Sequence, residues 1–264
     1  MPARTAPLAH CQMSNDVWCA DFKGWFLTGD GNKCDPFTLT DGASRYLLRC
    51  LKLESNTVEH VWAVLDIAFR EYGLPLFLRN DNGPPFGSTG AGRLTRLSVN
   101  LIKAGVTPEW IDPGKPQQNG RHERMHGTLK NETANPPQLT LEEQSMQFKE
   151  FRNYYNHVRP HEAIGQKTPG SIYQPSPRVW NGVLKAPEYP KEFILRKVRI
   201  AGQISMKPHA PDIYISTALA HEYIGLKQLE ELIYEAYYGS IYLGKISLET
   251  KKLILPEGSK RKRN

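Results

Sequence analysis

Three acidic residues stand where separate parts of the chain could bring their carboxylates together. Asp21 lies near the end of the apolar run Val17–Phe22, and Asp81 follows a second short apolar run. Glu123 lies at the predicted start of a helix. Converging carboxylates repel one another unless a cation or a proton offsets their charge. Such a site, made of oxygen ligands, suits a hard divalent cation such as Mg²⁺ or Mn²⁺.

Each of these acids also has an ordinary structural explanation when it is taken alone. Asp81 opens the sequence Asp-Asn-Gly-Pro, which is a strong turn signal. Asp21 could accept backbone hydrogen bonds at a strand end, and an acid such as Glu123 in the first turn of a helix favours the helix dipole. It is the combination of the three, on elements that could meet at one sheet edge, that indicates a site.

The elements that must position these acids alternate between strand and helix patterns. Strands are predicted over residues 17–26, 37–40, 46–53, 74–78 and 107–111. Helices are predicted over residues 58–72, 94–104, 121–131 and 141–155. The Pro- and Gly-rich residues 112–120 form a predicted loop just before Glu123. This order predicts an α/β fold, a mixed sheet with helices on its faces.

A second domain is predicted after this region. We expect a short extension over residues 1–14, a catalytic core over 15–175, a linker over 176–192, a small β domain over 193–256 and a basic disordered tail over 257–264. The β domain rests on three short predicted strands, at residues 232–238, 240–246 and 251–255, which are typical of a small barrel or sandwich.

The charge of the chain is uneven. Its 264 residues carry a net charge of +7, and residues 175–264 hold 15 Lys and Arg against 9 Asp and Glu. Lys260, Arg261, Lys262 and Arg263 supply four of these charges. A basic part beside a nearly neutral one suits a polyanion such as DNA, although a solvated basic tail is the commoner explanation of such a run.

Targeting signals and cysteine spacing indicate the compartment. The sequence has no apolar run of membrane-spanning length and no signal peptide pattern, so we expect a cytoplasmic protein without a membrane partner. Its four cysteines lack CxxC spacing, which favours neither a zinc site nor a disulfide framework.

Four ordered sequence blocks resemble a known family. They begin with Val-Trp-Cys-Ala-Asp-Phe-Lys-Gly around Asp21 and Asp-Asn-Gly-Pro-Pro-Phe from Asp81. They continue with Gly-Lys-Pro-Gln-Gln-Asn-Gly-Arg-His-Glu-Arg around Glu123 and Tyr-Asn-His-Val-Arg-Pro-His from Tyr155. Together they resemble the integrase core of DDE transposases and retroviral-type integrases, above all the transposases of bacterial insertion sequences, over residues 15–173.

The resemblance implies a fold, a site and an activity. The fold is an RNase H-like five-stranded mixed sheet flanked by helices, followed by a small all-β barrel-like domain. Asp21, Asp81 and Glu123 would be the catalytic residues and would hold two Mg²⁺ ions, which Mn²⁺ could replace. The activity would be metal-dependent DNA cleavage and strand transfer by a homo-oligomer on DNA, associated with a bacterial nucleoid.

Further residues are predicted to contact DNA. Donors beside Glu123 could hold phosphates, and the basic tail could add charge. The candidates are Lys115, Asn119, Arg121, His126, Lys130, Lys260, Arg261, Lys262 and Arg263. His157 and His161 have the spacing of a metal pair, but Pro160 interrupts the helix that such a pair needs, so a structural or DNA-contact role is expected.

One departure from the family pattern leaves the function open. Family members usually carry a helix-turn-helix region before the core, whereas 14 residues precede the core predicted here. Either the reading frame is truncated or another part of the machinery recognises the element ends. The alternatives to a strand-transfer enzyme are a non-catalytic DNA-binding remnant and a metal-dependent nuclease without strand transfer.

Overall fold

The structure of the chain, a computed structural model, describes residues 11–112, 118, 120–206 and 210–256. The chain forms two compact units. We call Pro7–Asp81 with Val106–Gly182 the first unit, and Asn82–Gly105 with Val183–Asn264 (and Met1–Ala6) the second unit. Residues 82–105 connect two strands of the first unit in sequence, but they are part of the second unit.

The first unit is built on a five-stranded sheet with helices. Its strands and helices are β1 (Val17–Phe22), β2 (Phe26–Leu27), β3 (Lys33–Cys34), β4 (Pro36–Asp41), β5 (Leu47–Lys52), α1 (Val58–Tyr72), β6 (Phe77–Asn80), β7 (Thr107–Trp110), α3 (Gly120–Thr133) and α4 (Leu141–His157). The helix numbered α2 (Arg96–Ala104) belongs to the second unit. The sheet has the order β5-β4-β1-β6-β7.

This sheet is mixed, as the sequence predicts. Strands β1, β4 and β5 pair antiparallel, whereas β1, β6 and β7 pair parallel. The carboxyl ends of parallel strands lie at the same edge of a sheet. The ends of β1 and β6, where Asp21 and Asp81 lie, therefore meet at one edge.

The core of the first unit follows the hydrophobic periods of its elements. Helix α1 buries residues at positions three and four apart and ends at Gly73, whose φ of +77° suits a glycine. Helix α3 buries Met125 and Leu129 against Phe148 and Phe151 of α4, in a cluster that also contains Leu47 of β5. Helix α4 and an outer strand of the sheet thus hold α3 in place.

Several boundaries differ from the predicted ones. The strand predicted over 17–26 ends at Phe22, because Gly24 turns the chain with a φ of +88°. The strand predicted over 74–78 begins at Phe77, since the Leu74 N–H bonds to the Arg178 carbonyl outside the sheet. Residues at the start of the predicted linker contact α1: the Trp180 Nε1–H donates to Asp66 Oδ1 at 2.7 Å.

The second unit contains more strands than the sequence predicts. They are β8 (Ile194–Lys197), β9 (Gln203–Met206), β10 (Ala210–Tyr214), β11 (Tyr223–Glu230), β12 (Ile233–Tyr238), β13 (Ile241–Ser247) and β14 (Lys252–Ile254). Five of them form a sheet of order β14-β13-β12-β11-β8, and β9 pairs with β10. Because β9 lies beside β8 and β10 beside β14, the hairpin closes the sheet into a barrel-like arrangement. In the described ranges, no helix has the length and apolar character that crossing a membrane requires.

Candidate active site

The three predicted carboxylates lie in the first unit, where Asp81 and Glu123 are both near enough to Asp21 to act on its charge. Asp21 is the fifth residue of β1, Asp81 follows β6 directly, and Glu123 lies in the first turn of α3. Burial raises the pKa of Asp21 to about 7, and the negative charges of Asp81 and Glu123 add to this rise. The Phe22 N–H, which donates to Asp21 Oδ1 at 2.8 Å, acts in the opposite direction.

Such a raised pKa has a direct chemical meaning. A carboxyl group that is buried beside other carboxylates holds its proton more tightly, because the charged form is poorly solvated and repelled. A cation at the same place would remove the repulsion. The three carboxylates are hard oxygen ligands. This donor set fits Mg²⁺, which prefers oxygen ligands and retains bound water.

The start of α3 is held to the sheet by two buried histidines. His122 and His126 lie one helical turn apart on α3. Both are buried, and they contact threonines of β4. Thr38 Oγ1 lies 2.8 Å from His122 Nε2 and 2.7 Å from His126 Nε2, and it donates to the Asp21 carbonyl at 3.2 Å. Thr40 Oγ1 lies 2.8 Å from His122 Nδ1.

These contacts are mutually consistent in one protonation pattern. If Thr38 donates to the Asp21 carbonyl, its oxygen accepts from the Nε2–H groups of both histidines. His122 Nδ1 then accepts the Thr40 hydroxyl proton. Both rings are neutral in this pattern, and burial lowers the pKa of each histidine, to about 3 for His126. The network therefore ties the helix turn that carries Glu123 to the strand beside Asp21.

The same histidines belong to a group with metal-ligand chemistry. Potential ligand atoms of Asp21, His122 and His126 lie within 4.8 Å of one another. Both nitrogens of His122 and Nε2 of His126 are already in hydrogen bonds with threonine hydroxyls. We therefore interpret the histidines as support for the carboxylate site. His126, one of the predicted DNA contacts, belongs to the buried stripe of α3.

Of the other predicted DNA contacts, the structure describes the side chain of Lys130. Lys130 is exposed on α3, as a DNA contact requires. Lys115, Asn119, Lys260, Arg261, Lys262 and Arg263 lie outside the described residues, as does the side chain of Arg121. Their predicted contacts with DNA remain predictions, as does that of His126, whose burial does not support it.

The fourth sequence block has a structural role. Asn156 on α4 accepts the Leu47 N–H at 2.8 Å and donates to the Leu47 carbonyl at 3.0 Å, so it pairs with the edge strand β5. His161 contacts the carbonyl of Tyr155 at 3.2 Å and its ring edge-on, with centroids 4.5 Å apart. For His161, these contacts fit the structural alternative of the expected structural or DNA-contact role.

Two hydrogen bonds join Asp112 to Gln118 in the loop before α3. The Asp112 N–H donates to Gln118 Oε1 at 2.7 Å, and Gln118 Nε2 donates to Asp112 Oδ2 at 3.1 Å. Asp112 comes just after β7, a third parallel strand that ends at the same sheet edge. The pair thus joins the sheet edge to the approach to α3.

Two family models with the description "Integrase core domain" match the chain, one at residues 12–116 and the other at residues 104–169. Two similar proteins come from bacterial insertion elements. The uncharacterized 39.2 kDa protein of insertion element IS476 from Xanthomonas euvesicatoria is 28% identical over 161 residues, 61% of this chain and 44% of that protein. The uncharacterized 31.7 kDa protein of IS407 from Burkholderia multivorans is 29% identical over 159 residues, 60% of this chain and 55% of that protein. The matches thus span about half the length of these relatives.

The fold has a counterpart among solved structures. A chain in the cryo-EM structure of the simian T-cell lymphotropic virus intasome, in complex with PP2A regulatory subunit B56 gamma, aligns with a TM-score of 0.52 and 17% identity. The alignment covers 92% of this chain and 84% of that chain, and at this identity it shows likeness of fold alone. The model at residues 12–116 includes Asp21 and Asp81, and the model at residues 104–169 includes Glu123. Residues 12–169 of the chain, which the two models span together, thus match the integrase core domain family.

Proposed function

We propose that the chain catalyses metal-dependent cleavage and joining of DNA strands as a transposase. The observation that carries the proposal is the placement of Asp81 and Glu123 near Asp21 at one sheet edge: burial raises the pKa of Asp21 to about 7, and the two neighbouring negative charges add to the rise. The similarity to insertion-element proteins supports DNA as the substrate. We infer further that the active form is a multimer that bridges two DNA ends and works at the bacterial nucleoid.

The proposed chemistry has two balanced steps. In the first, a water oxygen bonds to a phosphorus at the element end, the bond from phosphorus to the 3′ oxygen breaks, and a free 3′ hydroxyl remains. In the second, this hydroxyl oxygen bonds to a target phosphorus and displaces the 3′ oxygen of the target strand. Two bound Mg²⁺ ions would activate the attacking hydroxyl and stabilise charge on the leaving oxygen.

The residues of the chain have distinct parts in this scheme. Asp21, Asp81 and Glu123 would hold the metal ions. Asp21 and Asp81 are set by strands of one sheet, whereas Glu123 is set by the docking of α3. The hydrogen bonds that Thr38 accepts from His122 and His126 keep that helix turn in place.

The decisive experiment incubates the full chain with Mg²⁺ and end-labelled DNA that carries the element ends. We compare it with Asp81→Asn and with Glu150→Gln, which removes an exposed carboxylate on α4. We expect cleaved and joined products from the wild type and Glu150→Gln, and a loss of at least about 100-fold for Asp81→Asn, since charge stabilisation of this kind contributes several kcal/mol.

The other outcomes distinguish the alternatives. DNA binding without products from any version would replace the proposal with a non-catalytic DNA-binding remnant. Cleavage without joined product would replace it with a nuclease. Equal activity of Asp81→Asn and wild type would show that the carboxylate site does not carry the reaction.

A further inference from the structure

A cavity of about 190 Å³ opens in the first unit between the segment that follows β1 and the second half of α3. One wall comes from the residues that follow β1, namely Lys23, Gly24 and Trp25, and the other from the second half of α3, with Leu129 and Lys130. Lys23 lies two residues after Asp21, and Lys130 lies seven residues after Glu123. Seven residues are two helical turns, so Lys130 stands about 10 Å further along the same helix face.

The floor and the rim of this cavity differ in character. Leu129 and Pro36 are buried and form the apolar floor of the cavity, whereas Lys130 is exposed at its rim. Trp25 is 60% exposed although it is the largest apolar side chain of the cavity. An indole ring that remains so exposed beside a cavity offers a flat surface to a ligand.

The charge around the cavity is positive. Lys33 holds its Nζ atom 5.1 Å from the centre of the Trp25 ring, a cation–π distance. Among the described residues that line the cavity, the charged ones are Lys23 and Lys130 and none is acidic. The neighbouring Asp35 carboxylate is held by the Gly24 N–H and by Asn56 Nδ2, each at 3.1 Å.

An exposed aromatic ring among lysines is the arrangement that binds single-stranded nucleic acid, because bases stack on the ring and phosphates pair with the cations. In a duplex the base faces are covered by their neighbours, so a base must be unpaired to stack on a side chain. We propose that this cavity, which we call the Trp25 pocket, binds an unpaired nucleotide of the DNA substrate, with its base on Trp25 and its phosphate near Lys23 and Lys130. The proposal rests on the proposed function, since DNA held at the carboxylates places a neighbouring nucleotide within reach of the pocket.

The test measures binding of the full chain to two fluorescent DNAs in buffer without divalent metal, so that no cleavage occurs. One DNA is a blunt duplex, and the other is the same duplex with a short single-stranded overhang at the element end. We expect tighter binding of the overhang DNA by the wild type. Trp25→Ala should weaken binding of that DNA by about 5- to 150-fold, the loss of one base–aromatic stack, and leave blunt-duplex binding unchanged.

Three variants serve as controls. Trp25→Phe keeps an aromatic face and should restore most of the overhang preference. Tyr154→Ala removes an aromatic ring of α4 that is 46% exposed and does not line the pocket, and it should bind both DNAs like the wild type. Lys130→Ala should lower the salt dependence of overhang binding relative to Lys149→Ala, a change at an exposed lysine of α4.

The results separate the pocket from the catalytic proposal. Equal overhang preference in Trp25→Ala and wild type overturns the pocket, as does an equal loss of binding to both DNAs. If the wild type shows the Trp25-dependent preference but makes no product with Mg²⁺, the pocket stands and the catalytic proposal fails. If products form without any Trp25-dependent preference, the catalytic proposal stands and the pocket fails.

Discussion

At the scale of single residues, Thr38 joins the two halves of the carboxylate site. Its hydroxyl contacts the carbonyl of Asp21 and the Nε2 atoms of His122 and His126, residues that are separated from it by 17, 84 and 88 positions in the chain. Both histidines are buried, so each needs this partner for its ring N–H. The position of Glu123 therefore depends on a side chain that does not itself reach the site.

The first prediction concerns this hydroxyl. Thr38→Val keeps the shape of the side chain but leaves two buried Nε2–H groups without an acceptor, so the free energy of unfolding should fall by about 1–3 kcal/mol for each. Chemical denaturation measures this loss. Because the turn that carries Glu123 loosens, kcat for DNA cleavage should fall more than KM rises.

Two further variants separate positioning from general damage. Thr38→Ser keeps the hydroxyl and should recover most of the stability and of kcat. Thr128→Val removes a hydroxyl on α3 that bonds only to the Arg124 carbonyl of its own helix, and it should change little. Unchanged kcat in a folded Thr38→Val protein would contradict a positioning role.

At the scale of elements, the parallel strands β6 and β7 are joined by an ion pair. Arg79 and Glu109 are register partners, and Arg79 Nε lies 2.6 Å from Glu109 Oε2. Their side chains are only 10% and 13% exposed. A mostly buried pair of this kind positions β7 beside the strand that leads into Asp81, because an unpaired charge there is costly.

The second prediction follows from that burial. Glu109→Gln should lower the free energy of unfolding by about 3–5 kcal/mol, since it leaves the Arg79 charge in a low-dielectric place. Replacing both residues with apolar ones, as in Arg79→Met with Glu109→Leu, should cost much less. The more exposed pair Arg70 and Asp66 on α1, with side chains 56% and 27% exposed, gives the control: Arg70→Gln should cost about 1 kcal/mol or less. A cost for Glu109→Gln as small as that of Arg70→Gln would refute the buried-pair argument.

The third prediction concerns the contact between α4 and the edge strand β5. Asn156→Ala leaves the N–H and the carbonyl of Leu47 without their partner, so we expect a loss of about 1–3 kcal/mol in the free energy of unfolding. Asn153→Ala, an exposed change on the same helix, should be nearly neutral. Faster hydrogen exchange at the Leu47 amide should accompany the loss, and an amide that exchanges as in the wild type would argue against it.

At the scale of the whole molecule, positive charge is concentrated toward the carboxyl end. Residues 175–264 hold 15 basic against 9 acidic residues, and four of the basic ones lie at positions 260–263. The proposed site for chemistry lies in the first unit, whereas much of the positive charge, which would attract a polyanion, belongs to the second. DNA affinity and DNA chemistry should therefore respond to different mutations.

The fourth prediction tests this separation. Removal of residues 260–263 should flatten the dependence of DNA binding on salt, by about 0.7–0.9 in the logarithmic slope for each lost phosphate contact. Titrations at several salt concentrations measure the slope. Cleavage at saturating DNA should stay at the wild-type rate, whereas Asp81→Asn should keep the wild-type slope. An unchanged slope after the deletion would exclude the tail as a contact.

The sequence alone determined those features that neighbouring residues encode. Helix α1 spans Val58–Tyr72, as predicted, because its apolar residues repeat at helical spacing and a glycine follows them. The mixed five-stranded sheet and the family resemblance also follow from local patterns and ordered motifs. The prediction that Asp21, Asp81 and Glu123 approach one another came from the same source, since acids at the ends of parallel strands share one edge.

Only the tertiary structure decided which polar side chains are buried and what they touch. His122 and His126 belong to the buried stripe of α3 because hydroxyl groups of β4, more than 80 positions away, satisfy their nitrogens. Trp25 and Lys130 of α3 line the same cavity, although they are more than 100 positions apart in the chain. Local sequence patterns do not predict that the two side chains share a cavity. Hydrophobic periodicity reports how each element meets the core, whereas a hydrogen-bond partner distant in sequence leaves no local pattern.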